Sequence, residues 1–145
     1  MTDNDVRLHI YEQFVATGAP PPVEDTAEAL GVAPEEAEDA YRRLEAARII
    51  VLAPGTTNVW MANPLSAYPT PFRVRTPRGN FWGNCVWDAL GVVAMLGGDG
   101  RIETRCPDCQ EPMNLEVSDG ALRPAEGVAH FAVPAKHWWG NIGYT

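Results

Sequence analysis

The amino-terminal part of the chain carries apolar residues at the spacing of amphipathic helices. The first set recurs at every fourth position and comprises Val6, Ile10 and Phe14. It predicts a helix that ends near Gly18, because the proline run at 20–22 cannot continue a helix. Two further helices are predicted, one capped at 25–26 and ending at Leu30, the other running from 34 to 48.

Two short strands are predicted after these helices, at 49–52 and 58–61, on either side of a Pro-Gly-Thr-Thr turn. Three helices followed by a β-hairpin are typical of a winged helix-turn-helix domain. The composition then shifts at the proline-bracketed stretch 63–69. We therefore predict a winged-helix-like accessory domain over residues 1–63 and a second domain over residues 64–145.

The second domain changes to the two-residue period of strands. Alternating apolar and polar residues predict strands at 72–75, 101–105, 113–117 and, less cleanly, 128–133. Between the first two of these lies the apolar run 81–96, which we predict as a helix that ends before the glycine-rich turn following Leu96. The expected fold class is α+β, with a winged-helix-like helical domain followed by an antiparallel sheet and a packed helix.

Composition and charge narrow the classes of function. The 145 residues are 46% hydrophobic and 21% charged, as in a soluble globular protein, and no apolar run approaches the length of a membrane span. The first residues are acidic and polar, unlike a secretory signal, so we expect a cytoplasmic protein. A formal net charge of -8 argues against nucleic acid and anionic membranes as partners.

A winged-helix regulator stays open as an alternative, although charge opposes it. The third predicted helix, which would enter the major groove, opens with the acidic sequence Pro-Glu-Glu-Ala-Glu-Asp at 34–39. Phosphate contacts need Lys or Arg on that surface. Acidic first turns also suit the dipole of the helix itself, which favours a structural or lid-like role for this domain.

Cys85 and Asp88 are the first candidates for chemistry. In a helix their side chains, three residues apart, share one face, so a soft nucleophile and a carboxyl group converge. This pair suits thiolate attack on a soft electrophile, with the carboxylic acid passing a proton to the departing group. The structural alternative is that Cys85 fills a helix–sheet interface and Asp88 caps a nearby backbone amide.

Four tryptophans are predicted core residues: Trp82, Trp87, Trp138 and Trp139. Aromatic walls around Cys85 would also exclude water from the pair. Exclusion of water raises the pKa of a carboxyl group, so Asp88 would keep its proton closer to neutral pH.

Cys106 and Cys109 form a C-x-x-C turn between two predicted strands, the second chemical signal. Such a turn resembles half of a zinc ribbon, but zinc takes four ligands, so the rest would come from Cys85, from a histidine (His130 or His137) or from a second chain. Two other interpretations stay open. Cys106 packs into the core as a reduced thiol, or one of the two sulfurs joins Cys85 in a two- or three-sulfur cage for a soft ion.

Several segments resemble the organomercurial (alkylmercury) lyases. The catalytic core of that family is similar to Thr-Pro-Phe-Arg-Val-Arg-Thr-Pro at 70–77, Gly-Asn-Phe-Trp at 79–82 and Cys-Val-Trp-Asp-Ala-Leu at 85–90. The segments 104–106 and 111–115 resemble the next strand pair, and the amino-terminal half resembles the helical accessory domain. The resemblance covers nearly the whole chain, and its specific part is Cys-x-x-Asp.

The resemblance implies an enzyme, a carbon–mercury lyase that requires no organic cofactor. By resemblance, Cys85 binds the mercury of an organomercurial substrate, Asp88 protonates the carbon, and mercury(II) leaves to cellular thiols. Cys106 corresponds to a structural cysteine of the family. A second catalytic cysteine is expected near the carboxyl terminus, yet the matching region 137–145 contains none, so we expect an external thiol to replace it.

The main rival to an enzyme is a non-catalytic protein that binds or senses a soft metal ion through Cys85, Cys106 and Cys109.

Overall fold

Three helices open the chain in the computed structural model, which describes residues 1–143: α1 (Asp3–Thr17), α2 (Val23–Leu30) and α3 (Pro34–Ala46). Their order follows the sequence prediction, but α2 begins two residues earlier than its predicted cap. Thr26 lies inside that helix, is fully buried, and its hydroxyl is 2.8 Å from the hydroxyl of Tyr41 on α3. It therefore joins two helices instead of capping one.

A small antiparallel sheet follows the helices, in the order β1 (Val51–Leu52), β2 (Val59–Ala62) and β3 (Leu65–Ser66). β3 pairs with β2, so the predicted domain boundary at 63/64 falls in the tight turn between two strands of one sheet. One hydrophobic cluster also runs through residues of both parts, from Val6 to Leu115. The two-domain division and the winged-helix assignment stay predictions.

The larger sheet has five antiparallel strands in the order β5-β4-β6-β7-β8. These strands are β4 (Arg73–Thr76), β5 (Gly79–Trp82), β6 (Gly100–Arg105), β7 (Pro112–Ser118) and β8 (Ala121–Arg123). The start of the predicted helix, 81–82, lies in β5. The prediction of a strand at 128–133 was wrong, because this segment has no strand structure and Val128 is 92% exposed.

Helix α4 (Val86–Leu96) packs on the larger sheet and completes the core. The register aligns Val74, Ile102 and Leu115 in one row across β4, β6 and β7, and all three are buried. The facing side of α4 contributes three more buried residues: Ala89, Val92 and Val93. Burial of each larger apolar side chain contributes about 1.5–3 kcal/mol. The predicted α+β class, with a helix on an antiparallel sheet, is confirmed.

The carboxyl-terminal segment forms a short 3₁₀ helix (Ala135–Gly140), after which Gly143 lies against the ring of Trp60 in β2. The guanidinium of Arg48 lies over the ring of Trp139, 5.2 Å from its centroid. Trp138 is half-buried, and its indole N–H donates to the carbonyl of Val133 at 2.7 Å. None of the four tryptophans predicted for the core is fully buried, and Trp87 is 63% exposed.

Across residues 1–143, every helix is too short or too polar to cross a membrane.

Candidate functional site

Cys85 is the N-cap residue of α4, and Asp88 is the third residue of that helix. The Cys85 sulfur accepts a hydrogen bond from the backbone N–H of Asp88, with an N–S distance of 3.4 Å. Cys85 and Asp88 are therefore brought together by the cap at the start of the helix and not by a shared helix face. Cys85 thus makes the N-cap interaction usually made by a serine or threonine hydroxyl, with sulfur as the acceptor.

The turn before the cap is packed tightly. Gly83 is buried, its N–H donates to the carbonyl of Phe72, and its own carbonyl accepts from the hydroxyl of Thr70 at 2.6 Å. A Cβ atom at Gly83 would lie 2.6 Å from the backbone nitrogen of Ala89. Only glycine lets the end of β5 approach the first turn of α4 this closely, and this approach fixes where Cys85 points.

Burial governs the electrostatics of the pair. Desolvation is the main reason why the pKa of the Cys85 thiol lies above its usual value, although backbone N–H groups of Asp88 and Trp87 act in the opposite direction. Desolvation also raises the pKa of Asp88, against the lowering effect of hydrogen bonds from the Asn84 and Cys85 side chains. The expectation of a raised Asp88 pKa agrees with this environment. A helix N-terminus normally favours a thiolate, but here loss of water outweighs it.

Asn84 ties the site to the hairpin between β2 and β3. Its side-chain amide donates to Oδ1 of Asn63 at 3.1 Å and to the carbonyl of Pro64 at 3.4 Å. The backbone carbonyl of Asn63 in turn accepts from the hydroxyl of Tyr11 on α1 at 2.8 Å. Burial raises the pKa of Tyr11, and the nearby charge of Asp88 raises it further. The amino-terminal helices thus support the surroundings of Asp88.

Cys85 and Asp88 line a pocket of about 90 Å³. Asn84 and Trp87 come from the same turn and helix, Met61 and Asn63 come from the β2–β3 hairpin, and the carboxyl-terminal segment closes the remaining side with Phe131, Trp138, Ile142 and Gly143. The rings of Phe131 and Trp138 lie 5.2 Å apart between centroids. The aromatic wall expected around Cys85 is present, although its tryptophans are not core residues.

The C-x-x-C turn lies apart from this pocket. Cys106 and Cys109 sit between β6 and β7, both are free thiols, and neither lines the pocket of Cys85. Hydrogen bonding from the backbone N–H of Cys109, followed by that of Asp108, lowers the pKa of Cys106. Cys106 is also only partly buried, so it does not fill the core.

No group of three or more His, Cys, Asp or Glu side chains within residues 1–143 is arranged to hold a metal ion. The structure therefore does not gather Cys85, Cys106 and Cys109 into a three-sulfur cage, and it does not assemble a four-ligand zinc site at the turn. His130 lines a separate apolar cavity, and His137 is exposed on the 3₁₀ helix.

Sequence reasoning assigned no role to several pocket residues. Asn84 directly precedes Cys85, and Asn63 directly precedes the proline of a tight turn. Both positions could therefore have been chosen as candidates from the sequence. Met61, Phe131 and Ile142 carried no signal, because only the folded chain brings an edge hairpin and the carboxyl-terminal segment to the start of α4.

The assembled pair can perform two linked steps. A half-buried thiol next to a carboxyl group can lose its proton to that group while it attacks a soft electrophile. The carboxylic acid so formed can return the proton to a group that leaves the electrophile. Both groups touch the same pocket, so the two steps need no large movement.

Comparisons with known proteins agree on one family. The MerB alkylmercury lyase model matches residues 65–145, which is more than half of the chain. A solved structure, described as the mercury-bound form of MerB2, is similar with a TM-score of 0.64 and 18% sequence identity. That similarity covers 81% of this chain and 58% of the other, so this chain spans less than two thirds of its structural relative. A search of curated proteins gives no match. By the family model, the chain belongs to the alkylmercury lyase family.

Proposed function

We propose that this protein cleaves carbon–mercury bonds, with Cys85 capturing the mercury and Asp88 protonating the carbon. The observation that carries the proposal is the hydrogen-bonded pair of a half-buried thiol and a half-buried carboxyl group, at one small pocket. Mercury is soft and thiophilic, so a thiolate is the protein ligand that suits it best. No organic cofactor is needed, because the chain itself provides both the nucleophile and the proton.

Capture begins with a proton transfer inside the pair. Because the pKa of Cys85 is raised, the thiol keeps its proton at neutral pH until the electrophile arrives. As the sulfur–mercury bond forms, the thiol proton passes to the Asp88 carboxylate, and the original mercury ligand departs as an anion. The product is Cys85–S–Hg–R beside a protonated Asp88.

Cleavage uses the same proton. Asp88 donates it to the carbon, the carbon–mercury bond breaks, and the hydrocarbon R–H leaves while the carboxylate is regenerated. Burial of Asp88 favours this step, since desolvation penalises the charged form and keeps the proton available. Mercury then remains on the Cys85 sulfur with an open coordination position.

The size of the pocket supports small organic groups as substrates. About 90 Å³ corresponds to roughly three water molecules. Aromatic and apolar side chains form much of its wall, which suits a short alkyl group better than a charged one. We therefore propose methylmercury-sized compounds as the best substrates, with larger aryl compounds requiring the carboxyl-terminal segment to shift.

Release requires thiols from outside the pocket. Cys85 is the one cysteine among the described residues that line it. Two small thiols remove mercury(II) as a bis-thiolate complex. One of their protons restores the Cys85 thiol and the other passes to solvent, so Asp88 stays the carboxylate that the next capture step requires. Free cysteines and abundant small thiols fit a reducing compartment, so we propose that the protein acts in the cytoplasm.

The test measures hydrocarbon release from methylmercury and phenylmercury with excess small thiol, by gas chromatography. We expect turnover by the wild type and none by Cys85→Ala, which also loses mercury capture. Asp88→Asn should still bind mercury while its turnover falls by about 10²–10⁴-fold, the usual contribution of a positioned proton donor. Capture without hydrocarbon release by the wild type would instead favour a protein that binds or senses a soft metal ion.

A further inference from the structure

The C-x-x-C turn carries a pair of thiols, one partly buried and one exposed, that the proposed lyase chemistry does not use. Cys106 and Cys109 flank Pro107-Asp108 at the tip of the β6–β7 hairpin. Both are free, and Cys109 is exposed to solvent. None of the residues that line the Cys85 pocket belongs to this hairpin. Any function of the two sulfurs is therefore spatially separate from the site of carbon–mercury cleavage.

Hydrogen bonds of the hairpin hold the turn in one conformation. The backbone N–H of Gln110 donates to the carbonyl of Cys106, and the N–H of Cys106 donates to the carbonyl of Glu111, both at 2.9 Å. The Gln110 side chain donates to the carbonyl of Pro107 at 3.1 Å, and Arg105 donates to the carbonyl of Gln110 at 3.2 Å. The Cys109 thiol is close enough to hydrogen-bond with Cys106. The two sulfurs are thus held as neighbours before any ligand binds.

The number of ligands selects the kind of ion. Zinc takes four protein ligands in structural sites, and no third His, Cys, Asp or Glu joins this pair within residues 1–143. Mercury(II) is satisfied by two thiolates, and soft thiolate ligands select soft ions over hard ones. A pair of adjacent, accessible sulfurs with no third ligand therefore suits mercury(II) and does not suit zinc.

We propose that Cys106 and Cys109 form a separate site that binds one mercury(II) ion as a bis-thiolate. The proposal rests on the proposed function only for the source of the ion, which is the product of cleavage. The site exchanges with the small-thiol complex that leaves the pocket. Two sulfur–mercury bonds to the small thiols break, two bonds to Cys106 and Cys109 form, and the two cysteine protons pass to the released thiols. No oxidant or reductant takes part.

Chelation gives this site its advantage over small thiols. Once one sulfur has bound mercury, the second acts at the high effective concentration set by a short, ordered turn. Such a gain reaches roughly 10²–10⁴-fold over two independent ligands. The site should therefore retain mercury(II) in the presence of monothiols that strip a single cysteine.

The experiment uses inorganic mercury(II) and the full chain carrying Cys85→Ser, which removes the catalytic thiol. The reduced protein is mixed with mercury(II) chloride and an excess of 2-mercaptoethanol, separated by gel filtration, and analysed for mercury per chain. We expect one ion per chain, with an elution volume unchanged by mercury. The further variants Cys106→Ser and Cys109→Ser should each weaken retention by roughly 100-fold, and circular dichroism checks that they stay folded.

Three results would overturn the proposal. They are no retained mercury on Cys85→Ser with both turn thiols titratable, one ion shared by two chains, and equal retention after either turn cysteine is replaced. If the two turn cysteines form a disulfide and still retain no mercury once it has been reduced, the result counts as the first of these three. Because inorganic mercury(II) is the probe, loss of lyase turnover leaves this test intact, and the hydrocarbon assay is likewise independent of the turn.

Discussion

The Cys85–Asp88 pair has a structural role in the same atoms to which we assign the proposed chemistry. The Cys85 sulfur caps α4 by accepting from the Asp88 N–H, as a serine hydroxyl would. The cap fixes the sulfur at the rim of the pocket and holds it close to the Asp88 carboxyl group. The sequence had raised a structural interpretation in which Asp88 caps a neighbouring backbone amide. In the structure the roles are reversed, because the Cys85 sulfur accepts the hydrogen bond and the backbone N–H of Asp88 donates it.

Replacement of Asp88 by asparagine should change how stability depends on pH. The pKa of Asp88 is raised in the folded protein, mainly by desolvation, so the neutral acid is the favoured buried form. The contribution of neutral Asp88 to the free energy of unfolding is fully present below the unfolded pKa of about 3.9. It is lost as pH rises through the folded pKa. Asparagine does not titrate. The free energy of unfolding of the wild type relative to Asp88→Asn should therefore fall as pH rises above about 3.9, the unfolded pKa.

Urea denaturation at a series of pH values measures this difference. Glu126→Gln, in an exposed loop, is the matched control and should stay within about 0.5 kcal/mol of the wild type. A wild-type advantage that grows with pH would mean that Asp88 is stabilised as a carboxylate, and the proton-donor role would lose its basis.

At the scale of elements, the junction of β5 and α4 positions the site. Gly83 forms an isolated bridge with Leu65 of β3 and sits against the backbone of Ala89. The smaller sheet, the larger sheet and α4 therefore meet at one glycine, two residues before Cys85. A small shift at this junction would move the sulfur relative to the hairpin that supplies Met61 and Asn63.

Gly83→Ala should destabilise the protein and impair the site together. Its Cβ would lie 2.6 Å from a backbone nitrogen and 2.7 Å from the Cα of Ala89, atoms that cannot rotate away. Overpacking of this kind costs about 1–3 kcal/mol. Gly140→Ala is the control, because a Cβ there meets nothing within 4 Å. Thermal melts and hydrocarbon release measure both effects, and a Gly83→Ala protein with unchanged melting and activity would contradict the close packing.

Some elements could be predicted from the sequence and others could not, for identifiable reasons. Helices with a four-residue apolar period and the strands around Ile102 and Leu115 were predicted closely, because one face of each is buried. β5 was missed because Phe81 and Trp82 were counted in the apolar run 81–96, although Gly83 and Asn84 separate them from α4. The predicted strand at 128–133 failed because an alternating pattern needs a neighbouring strand, and the sheet ends at β8.

The candidate site was predictable only in its nucleophile and its acid. Cys85 and Asp88 are neighbours in sequence, so local spacing brings them together. The pocket wall depends on contacts over long sequence distances, such as Tyr11 with Asn63. No periodicity encodes those contacts, so Asn63 and Phe131 could not be assigned from one sequence.

At the scale of the whole molecule, charge opposes binding to DNA. The formal net charge is -8, and the two arginines of α3 already bind carboxylates. Arg42 pairs with Glu38 at 2.7 Å, and Arg43 pairs with Asp3 of α1 at 2.7 Å. The surface that would enter a major groove therefore offers few free cations to phosphates.

We expect the 145-residue chain to bind duplex DNA no more tightly than the non-specific range of about 10⁻⁴–10⁻⁶ M at physiological salt. Fluorescence anisotropy with a labelled duplex measures this, and Glu38→Gln, which frees Arg42 from its partner, is the matched comparison. Tighter, sequence-dependent binding by the wild type would support the regulator alternative over a supporting role for the helices.

Turnover should depend on thiols that the molecule does not contain. The Cys85 pocket has one cysteine among its described residues, and the C-x-x-C turn lies elsewhere, so none of the described lining residues offers bound mercury(II) a second thiol. Multiple turnovers should stop when small thiols are withheld, after at most a single release of hydrocarbon per active site. Added cysteine or 2-mercaptoethanol should restore the rate.

Cys109→Ser should leave this thiol-supported rate nearly unchanged, since the Cys109 sulfur is not needed at Cys85. Hydrocarbon release measured with and without thiol, for the wild type, Cys106→Ser and Cys109→Ser, decides the matter. If Cys109→Ser alone abolishes turnover, the turn swings to the pocket and its sulfur is the second catalytic thiol.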